Sequence, residues 1–225
     1  MFEFLTSPAV YQFIRGPLVW LSFMIFIGGN LYKFLSMLSL AKKDKVVFPY
    51  ISLKYSLRSI LHWIIPFAST NWRKRPGMTV ITFFFHTCLL VTPVFLIAHN
   101  ALIKESWNFR LWTIPETIAD VMTVVVILCA LIFLMRRLVV PEVKFVTFGT
   151  DYLILSLAVL PFITGFLAYH QLLFAYELMG TLHILAGELM LIAIPFTRLN
   201  HMVYFWFTRA YTGSEFGAVR HTRDY

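Results

Sequence analysis

Two histidines lie in one long apolar stretch, Gly180–Trp206, where an ionisable side chain is costly if the stretch crosses a membrane. His183 and His201 are eighteen residues apart, which is about five turns of an ideal α-helix, so both imidazoles would leave the same side. Their Cα atoms would be about 27 Å apart along the axis, close to the thickness of membrane hydrocarbon. The spacing therefore predicts one imidazole near each face of a bilayer, and imidazole is a common ligand of iron.

The elements that must hold these histidines are membrane-spanning helices. The 225 residues are 59% hydrophobic and only 13% charged, a composition typical of a polytopic membrane protein. We predict an all-α membrane protein consisting of one integral membrane domain over residues 1–225. Its five apolar runs, each long enough to cross a bilayer, lie near residues 17–40, 78–99, 116–138, 151–169 and 177–207.

Positive charge alternates between the connections of these five runs. The first connection, Ala41–Pro76, holds eight lysines and arginines against one acidic residue. The connections after the third and fifth runs are also basic, whereas those after the second and fourth are not. The positive-inside rule then places the N-terminus outside and the C-terminus inside a bacterial inner membrane. The net charge of +8 is thus explained by basic residues in the connections, which orient the spans in the membrane. We expect no nucleic-acid partner because no soluble domain remains to bind one.

An interfacial helix is predicted within the first connection, at residues 50–67. Apolar residues recur there at helical spacing, with Lys54 and Arg58 on another side, a pattern typical of a helix lying in the membrane surface. The apolar positions are Leu53, Leu57, Ile60, Leu61 and Ile64. His62, on the same segment, is expected at the level of the lipid headgroups.

Two more histidines, His86 and His99, lie on the second apolar run. With the topology above, His86 falls at the inner level with His201, and His99 at the outer level with His183. A six-coordinate haem iron needs two axial donors, one on each face of the ring. Two helices that each offer one imidazole at two depths therefore predict two b haems bound between the second and fifth runs. The alternative for any single histidine is a hydrogen bond to a neighbouring helix.

His99 does not fit this pairing neatly. His86 and His99 are thirteen residues apart, which is roughly 220° around an ideal helix and about 20 Å along it. Pro93 lies between them and is expected to kink the helix, and Pro195 is expected to bend the fifth run. This geometric difficulty affects the outer pair, His99 with His183, and not the inner pair, His86 with His201. His170, at the outer end of the fourth run, is the alternative ligand to His99.

Four further polar residues are candidates for contacts with haem or quinone. Arg198, three residues before His201, is a candidate partner of a haem propionate, or an ordinary basic flank of a span. Quinone chemistry needs a group that accepts a proton, and the candidates are Asp120, Glu177 and Glu188. For Glu188, deep in the fifth run, the alternative is a hydrogen bond to a neighbouring helix.

The rest of the chain carries little other chemistry. Cys88 and Cys129 lie in apolar runs and are expected to be packed thiols. The sequence has no CxxCH motif and no CxxC pair, so we expect neither a c-type haem nor an iron–sulfur centre of its own. It also has no phosphate-binding loop or nucleophile motif. These observations favour an electron-transfer subunit of an oxidoreductase over a complete enzyme.

Two segments resemble a known family. RRLVVPEVKFVTFGTDYLILSLAVL (Arg136–Leu160) and LHILAGELMLIAIPFTRLNHMVYFW (Leu182–Trp206) look like the membrane cytochrome b (gamma) subunit of respiratory nitrate reductases. In that family the last helix carries two haem-ligating histidines at this spacing, with a PF(S/T)RL element before the second. The second helix carries the other two. The resemblance implies that His86, His99, His183 and His201 are haem ligands.

Departures from that family point to a related group. The family's spacing on the second helix is ten residues rather than thirteen. The basic residue that the family carries early in the third helix has no match here, where Ile118, Ala119 and Asp120 lie. The chain is more similar to the short membrane subunits of the transmembrane redox complexes of sulfate reducers (Hmc, Tmc and Dsr types). That likeness implies a dihaem b subunit between a periplasmic multihaem cytochrome c and a cytoplasmic iron–sulfur subunit, with other membrane subunits.

The function predicted from these observations is electron relay among the cytochrome c, the menaquinone pool and the iron–sulfur subunit, in anaerobic respiration linked to sulfate reduction. One alternative is a quinol-oxidising membrane anchor of a cytoplasmic reductase. Another is a haem-free transporter or scaffold that uses histidines as proton carriers. The basic segment Lys42–Arg75 and the tail Arg209–Tyr225 suit either a cytoplasmic subunit or anionic lipid headgroups.

Overall fold

The computed structural model of the protein describes residues 2–225, and every regular element in that range is helical. Five helices are long and apolar enough to cross a membrane, which confirms the prediction of an all-α, multi-pass membrane protein. The principal helices are, in chain order, α1 (Pro8–Lys43), α2 (Leu53–Ile64), α3 (Pro76–Phe95), α4 (Ile97–Trp107), α5 (Glu116–Val139), α6 (Gly149–Tyr169), α7 (Tyr176–Ala193) and α8 (His201–Ser214). The five candidate spans are α1, α3, α5, α6 and the segment Tyr176–Phe196 that begins with α7.

Helix α1 begins earlier than the sequence predicts. Its start at Pro8 precedes the expected boundary at residue 17, and Pro17 lies inside the helix. The backbone passes this proline as a π-helical turn, Ile14–Leu18. A wider turn accommodates a residue that lacks the N–H needed for a normal α-helical bond.

The second apolar run is two helices instead of one. Helix α3 ends at Phe95, Leu96 is extended with φ −66° and ψ 135°, and α4 begins at Ile97. The expectation of one kinked helix through His99 is therefore wrong. Pro93 lies in the last turn of α3, where its missing N–H and its ring already weaken the helix.

The fifth apolar run is interrupted as well. After α7 come two 3₁₀ turns, Ile194–Phe196 and Arg198–Asn200, with Thr197 extended between them. The Thr197 hydroxyl donates to Ala193 O (2.8 Å) and accepts from the N–H of Leu199 (3.2 Å), so one side chain closes the first helix and opens the next turn. The five-turn register between His183 and His201, which assumed one straight helix over residues 177–207, is therefore wrong.

The chain divides into two compact units. The first unit comprises Ile81–Met190 with the chain up to Trp20, and the second comprises Leu21–Val80 with Leu191–Tyr225. The core of the first unit forms where α3, α5 and α6 meet, around Phe85, Val126 and Phe162. Cys88 and Cys129 are buried free thiols in this core, which confirms the prediction that they are packed.

In the second unit, α2 packs against α8 through small residues. Ser56 and Ser59 are buried on α2, and a Cβ atom added to Gly213 of α8 would lie 2.5 Å from the Ser59 Cβ. A side chain at that glycine would push the two helices apart. The opposite side of α2 exposes large apolar side chains, at Leu53, Leu57, Leu61 and Ile64. An amphipathic helix is thus present within the predicted segment.

Candidate cofactor site

Two of the predicted ligand residues come together in the first unit. The imidazole rings of His99, on α4, and His183, on α7, have centroids 5.9 Å apart and planes inclined by only 13°. Both side chains are half-buried. We refer to them as the His99–His183 pair.

The break between α3 and α4 positions His99. In an unbroken helix the carbonyl of Pro93 would accept from the backbone N–H four residues later. The extended backbone of Leu96 removes that donor, and the Nδ1 of His99 bonds the Pro93 carbonyl instead, at 2.8 Å. The interruption thus both re-aims the imidazole and supplies its hydrogen-bond acceptor.

Asn100 closes the same break. Its Nδ2 donates to the carbonyls of Val94 (2.8 Å) and Leu96 (3.1 Å), and its Oδ1 accepts from the backbone N–H of Leu111 (3.0 Å). The residue is only 1% exposed. Sequence reasoning missed Asn100, although a polar residue in an apolar run after a proline was a usable signal, because buried amides must find partners.

His183 is held from a different helix. Its Nδ1 lies 2.9 Å from the carbonyl of Pro161 on α6, and 3.4 Å from the hydroxyl of Thr164. One turn further along α6 is Gly165, where an added Cβ would approach the His183 Cε1 to 2.9 Å. The absence of a side chain at Gly165 makes room for the imidazole. Neither Pro161 nor Gly165 was singled out from the sequence.

These hydrogen bonds decide the tautomer of both rings. A carbonyl oxygen can only accept, so the Nδ1 atoms of His99 and His183 carry the protons, and each Nε2 keeps a lone pair. Within residues 2–225, neither Nε2 makes a hydrogen bond. A metal–imidazole bond is about 2 Å long, which puts the ring centres of two imidazoles on opposite sides of one metal roughly 6 Å apart. The ring centres of His99 and His183 are 5.9 Å apart, which agrees with this separation.

The other two predicted ligands have a different environment. His86 Nδ1 bonds the carbonyl of Thr82 at 2.8 Å, and His201 Nδ1 bonds that of Arg198 at 2.7 Å. Both acceptors lie in the turn preceding the histidine, and both rings are exposed. His86 belongs to the first unit and His201 to the second. Their pairing stays a prediction, as does the role of the exposed Arg198.

His170, the alternative to His99, is engaged elsewhere. Its Nε2 lies 2.9 Å from the Asp120 Oδ1 of α5, and both side chains are about one-third exposed. Beside them, the Tyr169 hydroxyl donates to Glu116 at 3.3 Å. Asp120 is thus part of a carboxylate–imidazole pair instead of standing alone.

The remaining two acidic candidates differ sharply in burial. Glu177 is exposed in the first turn of α7. Glu188, on the same helix, is 5% exposed, and neither of its carboxyl oxygens has a hydrogen-bond partner within residues 2–225. The alternative expectation, that Glu188 bonds a neighbouring helix, is therefore wrong for this part of the chain.

Comparison with known proteins finds a relative that aligns with nearly the whole chain. No family model matches the chain. A protein of Nitratidesulfovibrio vulgaris (strain Hildenborough), whose name is only "Protein", is 35% identical over 216 residues, which cover 94% of this chain and 95% of the relative. Two chains that align at this identity over nearly their whole lengths share a common fold. The chain therefore belongs to the same family as this Nitratidesulfovibrio vulgaris protein.

Proposed function

We propose that the chain is the dihaem b-type membrane subunit of a respiratory redox complex. It relays electrons between a periplasmic multihaem cytochrome c, the menaquinone pool and a cytoplasmic iron–sulfur subunit, alongside other membrane subunits. The observation that carries this proposal is the His99–His183 pair, with ring centroids 5.9 Å apart and nearly parallel planes. When bound there, haem supplies reversible one-electron transfer.

In this proposal His99 and His183 bind the iron through their Nε2 atoms. Their Nδ1 bonds to the carbonyls of Pro93 and Pro161 hold each ring in one tautomer and orientation, and they raise the basicity of the ligating nitrogen. Two protein donors suit a metal whose other ligands come from a macrocycle. His86 and His201 provide the second pair of ligands, and Arg198 the contact to a propionate.

The hydrogen bonds of the chain favour His99 over His170 as the partner of His183. The Nε2 of His170 is bonded to Asp120, whereas that of His99 keeps its lone pair. Ligation by His170 would require the Asp120 bond to break first. A carboxylate left without its imidazole partner in a half-exposed site costs stability.

A quinol-oxidising membrane anchor is the second candidate function. It is favoured by the Asp120–His170 pair, since a partly exposed carboxylate–imidazole pair is suited to accept the protons released by a quinol. Glu188, buried and without a hydrogen-bond partner among residues 2–225, is a further group that could hold a proton inside the membrane. A lipid-soluble quinone analogue that shifts a haem spectrum would favour this candidate.

The proposed orientation in the bacterial inner membrane is N-terminus outside and C-terminus inside. Basic residues lie in the last turns of α1 (Lys42, Lys43) and α5 (Arg136, Arg137), and α2 lies in the inner membrane surface with its leucines toward lipid. Single cysteines introduced in a Cys88→Ala/Cys129→Ala background test this. An impermeant thiol reagent applied to spheroplasts should label Gln171→Cys and not Lys45→Cys. Labelling in the opposite pattern would reverse the orientation.

The decisive experiment is an anaerobic redox titration of the purified complex, followed by visible absorption. We expect the reduced b-type spectrum and two titrating haems per chain. A preparation that keeps its native fold yet shows no reduced b-type band would contradict the proposal and favour the haem-free transporter or scaffold.

A further inference from the structure

The second unit carries a cationic cavity that the proposed electron transfer does not use. Its volume is about 500 Å³. It lies between α2 and the segment that follows α8, which continues as a π-helical turn, Glu215–Val219, and then as the tail 220–225. The lining residues are Tyr55, Arg58, Gly217, His221, Thr222 and Arg223.

The walls of this cavity are fixed by specific contacts. The Arg58 guanidinium lies between two aromatic rings, 4.8 Å from the centroid of Tyr55 and 5.4 Å from that of Tyr225, and it donates to the carbonyl of Thr222 at 3.3 Å. Gly217 lies so close to Tyr55 that an added Cβ would come within 2.2 Å of its ring. His221 adopts φ 52°, a left-handed turn that folds the tail back onto α2.

The charges around the cavity do not cancel. Asp224, whose side chain is 2% exposed, is paired directly with Arg209 and accepts a hydrogen bond from Ser59. Its other oxygen is 3.7 Å from Arg58, a longer contact. Because Arg209 is the close partner of Asp224, Arg58 and Arg223 leave the cavity wall positively charged.

Contacts between α8 and α1 give the depth of the cavity. The Tyr204 hydroxyl bonds the carbonyl of Asn30, well inside α1, and Phe207 packs against Phe34 with ring centroids 6.1 Å apart. One turn later, Tyr211 bonds Asp44, the residue that follows the end of α1. Helix α8 therefore runs alongside the last part of α1. In the orientation proposed above, the basic end of α1 marks the inner membrane surface, which puts the residues beyond Tyr211 at the headgroup level.

The neighbouring surface of α2 is suited to acyl chains. Its exposed apolar residues, Leu53, Leu57 and Leu61, lie on the helix that contributes Tyr55 and Arg58 to the cavity. A helix with leucines on one side and arginine on another lies at the boundary between headgroups and hydrocarbon. A molecule with a phosphate and apolar chains would contact both surfaces at once.

We infer that the cavity formed by Arg58, His221 and Arg223 binds the phosphate of an anionic phospholipid headgroup. Arginine matches phosphate with charge and with paired donors, and the imidazole of His221 adds a further donor. The acyl chains lie along the leucines of α2. The source of the phosphate is the membrane, because the cavity lies at headgroup depth; a free phosphate would satisfy the arginines but not the apolar surface. This site is independent of the histidine ligands in the first unit.

Native mass spectrometry of the full-length chain in detergent tests this site. The protein is incubated with phosphatidylglycerol, with phosphatidylcholine, or with inorganic phosphate alone, and retained ligands are counted. We expect one phosphatidylglycerol to be retained in preference to phosphatidylcholine, and we expect inorganic phosphate added to the phosphatidylglycerol sample not to displace the lipid. Arg223→Gln should weaken phosphatidylglycerol retention about fivefold, the equivalent of about 1 kcal/mol for one arginine near an anionic lipid, and Arg223→Lys should restore most of it.

Arg220→Gln is the matched control. Arg220 is on the same tail but pairs with Glu215 and does not line the cavity, so its replacement should leave retention unchanged. Equal retention of the two lipids, or equal losses for Arg223→Gln and Arg220→Gln, would overturn the proposal. Displacement of phosphatidylglycerol by inorganic phosphate would overturn the lipid as the source. Haem content, measured on the same samples, reports separately on the proposed redox function.

Discussion

The His99–His183 pair and the two histidines His86 and His201 are held in different ways. Each ring of the pair is bonded to a carbonyl that the helix geometry does not place beside it: the Pro93 carbonyl across a helix break, and the Pro161 carbonyl on another helix. His86 and His201 are bonded to carbonyls of the turn just before them. A ring held from a separate segment keeps its orientation when its own helix moves. The orientation of both rings of the pair is thus fixed by hydrogen bonds from outside their own helical turns.

The two helix interruptions have different consequences for the histidines beside them. The break at Leu96 is closed by the side chains of His99 and Asn100, so the imidazole is part of the closure. The break at Thr197 is closed by the threonine hydroxyl, and His201 simply begins the next helix. At the first break the carbonyl freed beside Pro93 becomes the acceptor of a histidine, and at the second break it does not.

The largest effect is expected from removing a ligand of the pair. His183→Ala should lower the haem content from about two per chain to about one, because an iron with one axial imidazole is bound less tightly. Pyridine haemochrome analysis of the purified protein measures the ratio. His62→Ala is the control, since His62 also bonds a carbonyl of its own preceding turn but stacks on Tyr225. Retention of both haems in His183→Ala would contradict the proposal that His99 and His183 bind one haem.

Asn100→Leu should have the next largest effect. It leaves the carbonyl of Val94 and the N–H of Leu111 without partners and should lower the free energy of unfolding by about 3 kcal/mol. The haem bound at the pair should be lost before the other one. Thr123→Val is the comparison, because Thr123 only bonds the Ala119 carbonyl of its own helix. Thermal unfolding with parallel haem spectra measures both; equal stability of the two variants would contradict the structural role of Asn100.

Gly165→Ala tests how closely His183 packs against α6. The added methyl would lie 2.9 Å from the His183 Cε1, so the ring must shift, at a cost of about 1–3 kcal/mol. We expect a changed midpoint potential for one haem and an unchanged potential for the other, in a potentiometric titration. Gly187→Ala introduces the same methyl where no other segment of the described chain lies within 4 Å, and it should leave both potentials unchanged. If both glycine variants behave alike, the packing against α6 does not orient the ligand.

The smallest effect concerns the second unit and should leave the histidine pair untouched. Burial and the hydrogen bond to Asp44 raise the pKa of Tyr211 to about 12, above its ordinary value of 10.0. Because the folded-state pKa is raised, the stabilisation of the fold by the Tyr211 hydroxyl is fully present below pH 10 and is lost as pH rises through about 12. The Tyr211 hydroxyl in turn lowers the pKa of Asp44, so the contribution of Asp44 is present above its ordinary value of 3.8 and is lost as pH falls through the lowered pKa.

Tyr211→Phe should remove the alkaline loss and weaken the acid one. The difference in melting temperature between wild type and variant, measured across both pH ranges, isolates this pair from the other titrating groups. Haem content should be equal in the two proteins. A wild type and variant with parallel pH profiles would contradict the assignment.

Composition and charge were sufficient to predict the five spans, because apolar length is a local property of the chain. The same is true of the amphipathic helix at Leu53–Ile64 and of the buried thiols Cys88 and Cys129. Helix continuity was not predicted correctly, since the register from His183 to His201 assumed an ideal helix and the backbone is extended at Thr197. Pro93 and Pro195 indicated that the second and fifth runs would not be straight helices, but a proline alone does not distinguish a kink from a break.

Residue type and hydropathy are enough to identify four histidines in apolar segments as candidate metal ligands, since neither property depends on a partner. The sequence also showed that His86 and His99 would point to different sides of an ideal helix. The folded chain was needed to show that His99 lies beside His183, that Asn100 closes the break, and that Gly165 leaves room for the ring. The physical reason is that each of these depends on a hydrogen bond or a close contact between segments far apart in the chain. Such contacts follow from packing and not from any local pattern.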